Sequence, residues 1–328
     1  MRYGVTLQGV LPPNEFAEWA KRIEDLGFDN LWITDSSLHA GDIYVHMTAA
    51  LLATSRIKVG SAVTNPLTRH AGITANAFRS LSLLAPGRVN CGIGVGDRPL
   101  LEFDMKVAKV QNMTETIEAL RRLWAGEKID GKFGSSRFKG AELLSAVETE
   151  IPVYISASGP KTLTATGRVA DGVILLAGLF PEAIEFANAR IEEGRAESTR
   201  PTFDRTAFLY GAIDEDRDYA INVARPIVAW FPQTAPAHAR LAGMSDELIE
   251  EVVKTYQGGE FQHAGAAAKL ISDDFVTKVA FAGTPADTKE KVEWLEGQGL
   301  DALTVFPLGD KETRMRTIEH FARVAIGG

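Results

Sequence analysis

Residues 56–70 read RIKVGSAVTNPLTRH. The first part, RIKVGSAV, is an apolar run of strand length, and it breaks off into Thr64, Asn65, Pro66, Arg69 and His70. A short run rich in Val and Ile, without strict polar alternation, predicts a strand buried on both faces, as in parallel sheets. A plain turn needs no such collection of polar and backbone-constraining groups. The strand end is therefore the first place to look for function.

Outward from this stretch the same rhythm repeats. YGVTLQ (3–8), NLWITD (30–35), RVNCGIGVG (88–96), PVYISAS (152–158), GVILLAG (172–178), TAFLYGAI (206–213) and LDALTVFPL (300–308) predict seven more strands. Helices are predicted over 14–27, closing on Gly27, then over about 42–54, 70–84 and 112–126, where Thr114 is a candidate cap and Gly126 a stop. Further helices are predicted over about 160–170, 181–195 and from the last strand to the C-terminus. Strands separated by helices of about ten residues or more are parallel βα units. Eight of them indicate a closed (β/α)8 TIM barrel, an α/β fold, more than an open doubly wound sheet. Residues 127–150 are polar and Gly-rich and read as a surface excursion. Residues 214–299 are too long for one helix and read as extra helices between strands seven and eight, with the helical insertion at about 214–285. All of 1–328 is expected to form a single domain.

Composition narrows the function. The chain has 328 residues, 45% hydrophobic and 24% charged, as in ordinary globular proteins. A net charge of −8 argues against a nucleic-acid surface or a basic membrane face. The single Cys91 excludes an internal disulfide and a Cys-based zinc site and fits a reducing cytosol. MRYGVTLQGVLPPNE contains no apolar h-region, and no run reaches the roughly 18 apolar residues of a membrane span. The expectation is a soluble, cytoplasmic protein with neither nucleic acid nor membrane as its partner.

Parallel barrels carry their chemistry on the loops after the strands. Several strand ends are suggestive: Asp35 and Ser36, Thr64 and Asn65, Gly96 and Asp97, Ser156 to Lys161. GIGVGD (92–97) lacks the third glycine of a dinucleotide fingerprint, and Pro99 argues against a helix directly after it, so no Rossmann site is read there. In SASGPKT (156–162), Gly159 permits close approach, Pro160 suits a first helical turn, and Lys161 stands beside free N–H groups. An anion site and an ordinary capped helix both satisfy this pattern. The six histidines show no metal-ligand spacing, and no metal is expected; His70, beside the singled-out strand end, stands out. Asp35 and Asp97 follow apolar strands, where a carboxylate can cap a helix or, in a dry mouth, donate a proton. Trp32, Trp230 and Phe231 can line an apolar pocket or serve as plain core.

GSAVTNPLTRH, LWITDSS, CGIGVGD and SASGPKTL together resemble the bacterial luciferase-like flavin and deazaflavin oxidoreductases. The likeness is strongest to the methylenetetrahydromethanopterin reductase branch, which uses coenzyme F420. It covers nearly the whole chain, and its most specific parts are TNPLTRH and SGPKTL. It implies a TIM barrel with a late insertion and a cofactor ring packed on the third strand. That strand would carry a bulge with a cis bond at Ala62–Val63. It further implies that Ala157, Ser158, Gly159, Pro160, Lys161 and Thr162 hold the side-arm phosphate. Asp35 and Ser36 would lie by the ring, Gly94 and Val95 would pass near it, and Thr64 and Asn65 would reach its polar edge or side arm. Asp97 matches an acidic position in substrate binding or proton handling, so Asp35 and Asp97 are the catalytic candidates. His39, Asp97 and Trp230 would shape the substrate pocket, with His238 and His263 nearby in the late insertion. Ser36 departs from the pattern, since many deazaflavin members have histidine there. The implied activity is hydride transfer between F420 and a small organic substrate, with an FMN-dependent monooxygenase as the alternative. Members of the family commonly form homodimers.

Overall fold

The computed structural model describes residues 1–256 and 264–327. Its strands are β1 (Arg2–Gln8), β2 (Asn30–Thr34), β3 (Lys58–Ser61), β4 (Val89–Ile93), β5 (Ile129–Phe133), β6 (Ser136–Ala141), β7 (Val153–Ala157), β8 (Gly172–Leu175), β9 (Asp204–Ile213), β10 (Ala280–Gly283) and β11 (Ala302–Pro307). Taken in the order β1, β2, β3, β4, β7, β8, β9, β11, they pair in parallel, and β11 returns to β1. The result is a closed eight-stranded barrel ringed by helices, as the alternation of apolar runs and amphipathic segments predicts.

The barrel interior is filled by pairing large residues with glycine on the neighbouring strand. Trp32 on β2 is the direct partner of Gly60 on β3, and Tyr154 on β7 is the partner of Gly172 on β8. A Cβ at Gly60 would stand 2.5 Å from the Trp32 ring, and one at Gly172 would stand 2.5 Å from the Tyr154 ring. The two rings meet edge to face at 5.1 Å. With Ile174, and with Ala62, Val63 and Phe208 packed on them, they plug the barrel below its carboxyl-end mouth. The outer faces of the strands, including Val5, Leu31, Val59 and Val153, are fully buried against the helices through Phe16, Phe78, Leu120 and Phe321. Burial of this kind stabilises by about 1.5–3 kcal/mol per large side chain.

Four expectations need correction. The 127–150 excursion holds the antiparallel β5–β6 hairpin, which buries Ile129 and Phe133 at its ends while the residues between them stay exposed. The late insertion is not purely helical. After Asp273–Val279 it adds β10, which pairs with β9 from Tyr210 to Ile213. β8 occupies the same edge of β9 lower down, from Asp204 to Ala207. The sequence AFAG of β10 is too short and carries no β-branched residue, so no periodicity announces it. A short helix, Arg98–Glu102, does follow the glycine-rich end of β4. Pro99 sits in its first turn, where the missing N–H costs nothing. Finally, the helix read over 112–126 begins earlier, at Val110. Thr114 is therefore inside it, its hydroxyl bonded to the Gln111 carbonyl. Among the described residues no helix is long and apolar enough to cross a membrane.

Candidate active site

The carboxyl ends of the strands open into a cavity of about 570 Å3. Ala62 and Val63 beyond β3, with Gly94 and Val95 beyond β4, form one wall. Phe208 and Tyr210 of β9 and Phe306 of β11 face it from across the barrel. Phe208 stacks on Phe306 at 5.7 Å, and Tyr210 meets Phe208 edge-on at 5.7 Å. Ser156, Ala157 and Ser158 close a third side, and Trp230, Gln233 and Thr234 reach in from the insertion.

The stretch 60–70 now has a physical account. The Ala62–Val63 peptide is cis, at the bond where the resemblance places it. Beyond it the chain rejoins β4: Thr64 N–H donates to the Gly92 carbonyl at 3.0 Å, and Gly94 N–H donates to the Thr64 carbonyl at 2.9 Å. Ser61 locks the same place, its hydroxyl donating to the Gly92 carbonyl at 2.6 Å. Asn65 lines the cavity, but its side-chain oxygen accepts from Leu67 and Thr68 N–H, both at 3.0 Å, so it builds the turn. Thr64 is fully buried and lies behind the cavity wall, with Oγ1 unpartnered among the described residues. His70 is the N-cap of helix Ala71–Leu84, accepting from Gly72 N–H at 3.1 Å.

Arg69, the remaining polar group, reaches back over the mouth. Its guanidinium donates to both oxygens of Asp35, at 2.5 and 3.3 Å, and to Asp42 at 3.2 Å. It also lies over the Tyr44 ring at 5.1 Å. The Asp35 side chain is only 3% exposed and stands as a doubly bonded acceptor. That geometry gives Asp35 a fixed partner in Arg69 at the edge of the mouth, which it also lines. His39 stands on the loop after β2. It lies outside the cavity lining, and Nε2 bonds the Glu102 carboxylate at 2.6 and 2.7 Å, tying the loop after β2 to the short helix after β4. Asp97 and Trp230 do line the cavity, and the indole N–H donates to Asp97 at 3.4 Å. Burial, and then the Asp97 charge, raise the Tyr210 phenol above its ordinary range, so it stays protonated at the cavity edge.

The opposite end of the cavity leads to the start of helix Pro160–Val169, with Gly159 as N-cap and Pro160 in the first turn. Ser158 lines the cavity, while Gly159, Pro160, Lys161 and Thr162 begin the helix just beyond it. The Ser158 hydroxyl donates to the Thr234 carbonyl at 2.8 Å. The Ser158 carbonyl in turn accepts from His238 Nε2 at 3.0 Å. His238 has no exposed surface, and burial holds it near pKa 4, so it is a neutral imidazole. Lys161 is exposed, and a Cβ on Gly159 would meet nothing within 4 Å. Open space over a helix N-terminus with a lysine beside it suits an anion. No group of His, Cys, Asp and Glu able to hold a metal exists among the described residues. His263 lies outside the described residues.

A parallel barrel with a cis-bonded third strand, an insertion before its last strand and this mouth defines a class. The chain belongs to the luciferase-like monooxygenase family, whose pattern matches residues 1–302. It is 31% identical over 331 residues to the 5,10-methylenetetrahydromethanopterin reductase of Archaeoglobus fulgidus, covering 97% of each chain. It is 29% identical to the F420-dependent glucose-6-phosphate dehydrogenase of Amycolatopsis mediterranei, over 93% of this chain and 92% of that one. Its fold matches the coenzyme F420 dependent tetrahydromethanopterin reductase from Methanopyrus kandleri with a TM-score of 0.86 and 26% identity, covering 99% of this chain and 98% of that one.

Several mouth residues escaped the sequence reading. Phe208 and Tyr210 alternate along TAFLYGAI, and period two places both on one face. Arg69 stood in the quoted motif without a partner to name. Glu102, Gln233 and the clamp made by His238 depend on tertiary approach and carry no local signal.

Proposed function

We propose that this chain is a coenzyme F420-dependent oxidoreductase that moves a hydride between the deazaflavin and a small organic substrate, with methylenetetrahydromethanopterin reductase-like activity. One observation carries the reading: a single cavity runs from the apolar wall at Ala62, Val63, Gly94 and Val95 to Ser158, at the threshold of a helix start suited to an anion. That is the shape a planar ring with a phosphate-bearing arm requires. The relatives that name F420 add support. Gln233 Oε1, buried without a partner among the described residues, offers the bound group an acceptor in the cavity wall.

The deazaflavin, when bound, supplies the hydride chemistry; the protein supplies position and electrostatics. Ala62 and Val63 would back the ring, and Asp35, fixed by Arg69, would set the charge near it with Ser36. Residues 157–162 would hold the phosphate. Asp97 and Trp230 would orient the substrate from the insertion side, and Phe208, Tyr210 and Phe306 would exclude water from the mouth.

Titration of the purified protein with F420 and with FMN, followed by cofactor fluorescence, tests this reading. Micromolar F420 affinity with much weaker FMN binding is expected. The reverse order would replace the proposal with the FMN monooxygenase alternative. We also propose a cytoplasmic homodimer. Helices Ile43–Ala53 and Ala71–Leu84 lie side by side and leave Val45, Leu52, Ile73 and Leu84 exposed, an apolar surface that a second copy would cover. Sedimentation of the wild type as a dimer and of Leu52→Glu as a monomer is expected.

A further inference from the structure

A second, smaller cavity lies outside the mouth, between helices Pro13–Asp25 and Lys311–Ala325 above the end of β1. It measures about 200 Å3, and its lining includes Leu7, Val10, Leu11, Trp19 and Arg314. Gln8 lines both cavities and separates them. Three features set Arg314 apart from the other arginines. It sits in the first turn of Lys311–Ala325, where the helix dipole disfavours a cation. It is partly buried. Its hydrogen bond to the Gly309 carbonyl, at 2.8 Å, uses Nε and leaves both terminal nitrogens without a partner among the described residues.

The contrast with other arginines is direct. Burial works against Arg2, Arg69 and Arg200 as well, but bonds to carboxylates more than restore them. For Arg314 burial prevails and the guanidinium is pulled down, with Asp310 offsetting it only in part. The Asp310 carboxylate is spent as the helix cap, accepting from Thr313 N–H at 2.8 Å. Lys311 at the rim is paired with Glu15. The guanidinium therefore faces an apolar, indole-walled hollow while short of a counter-charge.

We propose that this hollow is a second ligand site, which takes a small organic carboxylate with a flat or short apolar body. The carboxylate would meet the Arg314 fork, and the body would pack on Trp19, Leu7 and Leu11. Planar guanidinium–carboxylate pairing is the strong, oriented form of such contacts. The volume lies below the roughly 300–1,000 Å3 of pockets for drug-sized ligands, which limits the occupant to about the size of benzoate. The site is distinct from the anion end of the main cavity. β1 and β7 stand four places apart in the ring of eight, on opposite sides of the mouth.

Calorimetric titration with benzoate, and with benzamide as its neutral isostere, tests the proposal on the full chain. Benzoate is expected to bind saturably, with a Kd of about 1 mM or tighter. Benzamide, and benzoate on Arg314→Gln, should each bind at least about tenfold more weakly. Arg314→Lys, which keeps the charge but loses the fork, should fall between. Saturating F420 should leave benzoate affinity unchanged, and Arg314→Gln should keep wild-type F420 affinity, which shows that it is folded and keeps this site separate from the proposed function. Equal binding of benzoate and benzamide, no effect of Arg314→Gln, displacement by F420, or no saturable binding would each overturn the proposal.

Discussion

His238 offers a pH test that can be worked through in numbers. Its Nε2–H donates to the Ser158 carbonyl, Nδ1 has no partner among the described residues, and the ring packs edge-on against Phe186 at 5.5 Å. Charging the ring would place a proton on Nδ1 in a dry site with nothing to receive it. Burial is the main cause that lowers its pKa from 6.5 to about 4, while the bond to Ser158 pulls weakly the other way. In the unfolded chain the same side chain titrates near 6.5. Because the folded value is the lower one, the unfolded state binds the extra proton first as pH falls. The contribution is complete above pH 6.5 and is lost progressively down to about 4. The gap corresponds to about 3 kcal/mol of unfolding free energy. Urea unfolding between pH 7.5 and 4 would measure it against His238→Gln, whose side-chain amide can still donate to Ser158 but does not titrate. Carboxylates titrate alike in both proteins, so their difference isolates the histidine. The wild type should lose about 3 kcal/mol more than the variant over this range. Hydrogen exchange in residues 156–162 should also quicken selectively in the wild type as pH falls. Parallel stability profiles would refute the reasoning.

Three further outcomes are expected. Arg69→Met leaves the buried Asp35 carboxylate without its partner and should cost about 3 kcal/mol in urea unfolding, part of which Asp35→Asn in the same chain should restore. Gly60→Ala would put a methyl 2.5 Å from the Trp32 ring, so thermal unfolding should show a loss of about 1–3 kcal/mol and F420 titration a weaker cofactor complex. Asp97→Asn should lower turnover by at least about tenfold, on an acceptor found by screening, while F420 affinity changes far less. Unchanged turnover would remove Asp97 from the mechanism.

The barrel was legible because its evidence is periodic. Val- and Ile-rich runs such as RIKVGSAV recur between amphipathic segments, and that rhythm follows from strands buried on both sides. What escaped notice was short or polar: β10 has four small or aromatic residues, and the β5–β6 hairpin is mostly exposed. The site divided along similar lines. Strand position placed Ala62, Gly94, Asp97 and Ser158 at one mouth, since the carboxyl ends of parallel strands must meet there. Position could not say what each polar side chain does. Asn65 and His70 serve their own turn and helix, a local role that their residue types allow but do not impose, whereas Asp35 answers to Arg69 and His39 to Glu102 across tens of residues. Trp32 over Gly60 was out of reach for the same reason: register between strands decides it.

The shared edge of β9 has a consequence for traffic into the enzyme. With β8 below and β10 above, the insertion is laced by main-chain bonds to the strand that carries Phe208 and Tyr210. Lifting that roof would tear the lacing and drag the aromatic wall with it, so it behaves as masonry and not as a door. The far rim is held differently, by a single side-chain contact between His39 on the loop after β2 and Glu102 on the short helix after β4. A cousin of this protein that shed β10 would exchange a fixed vault for a swinging one, and the direction from which its guests arrive would change with it.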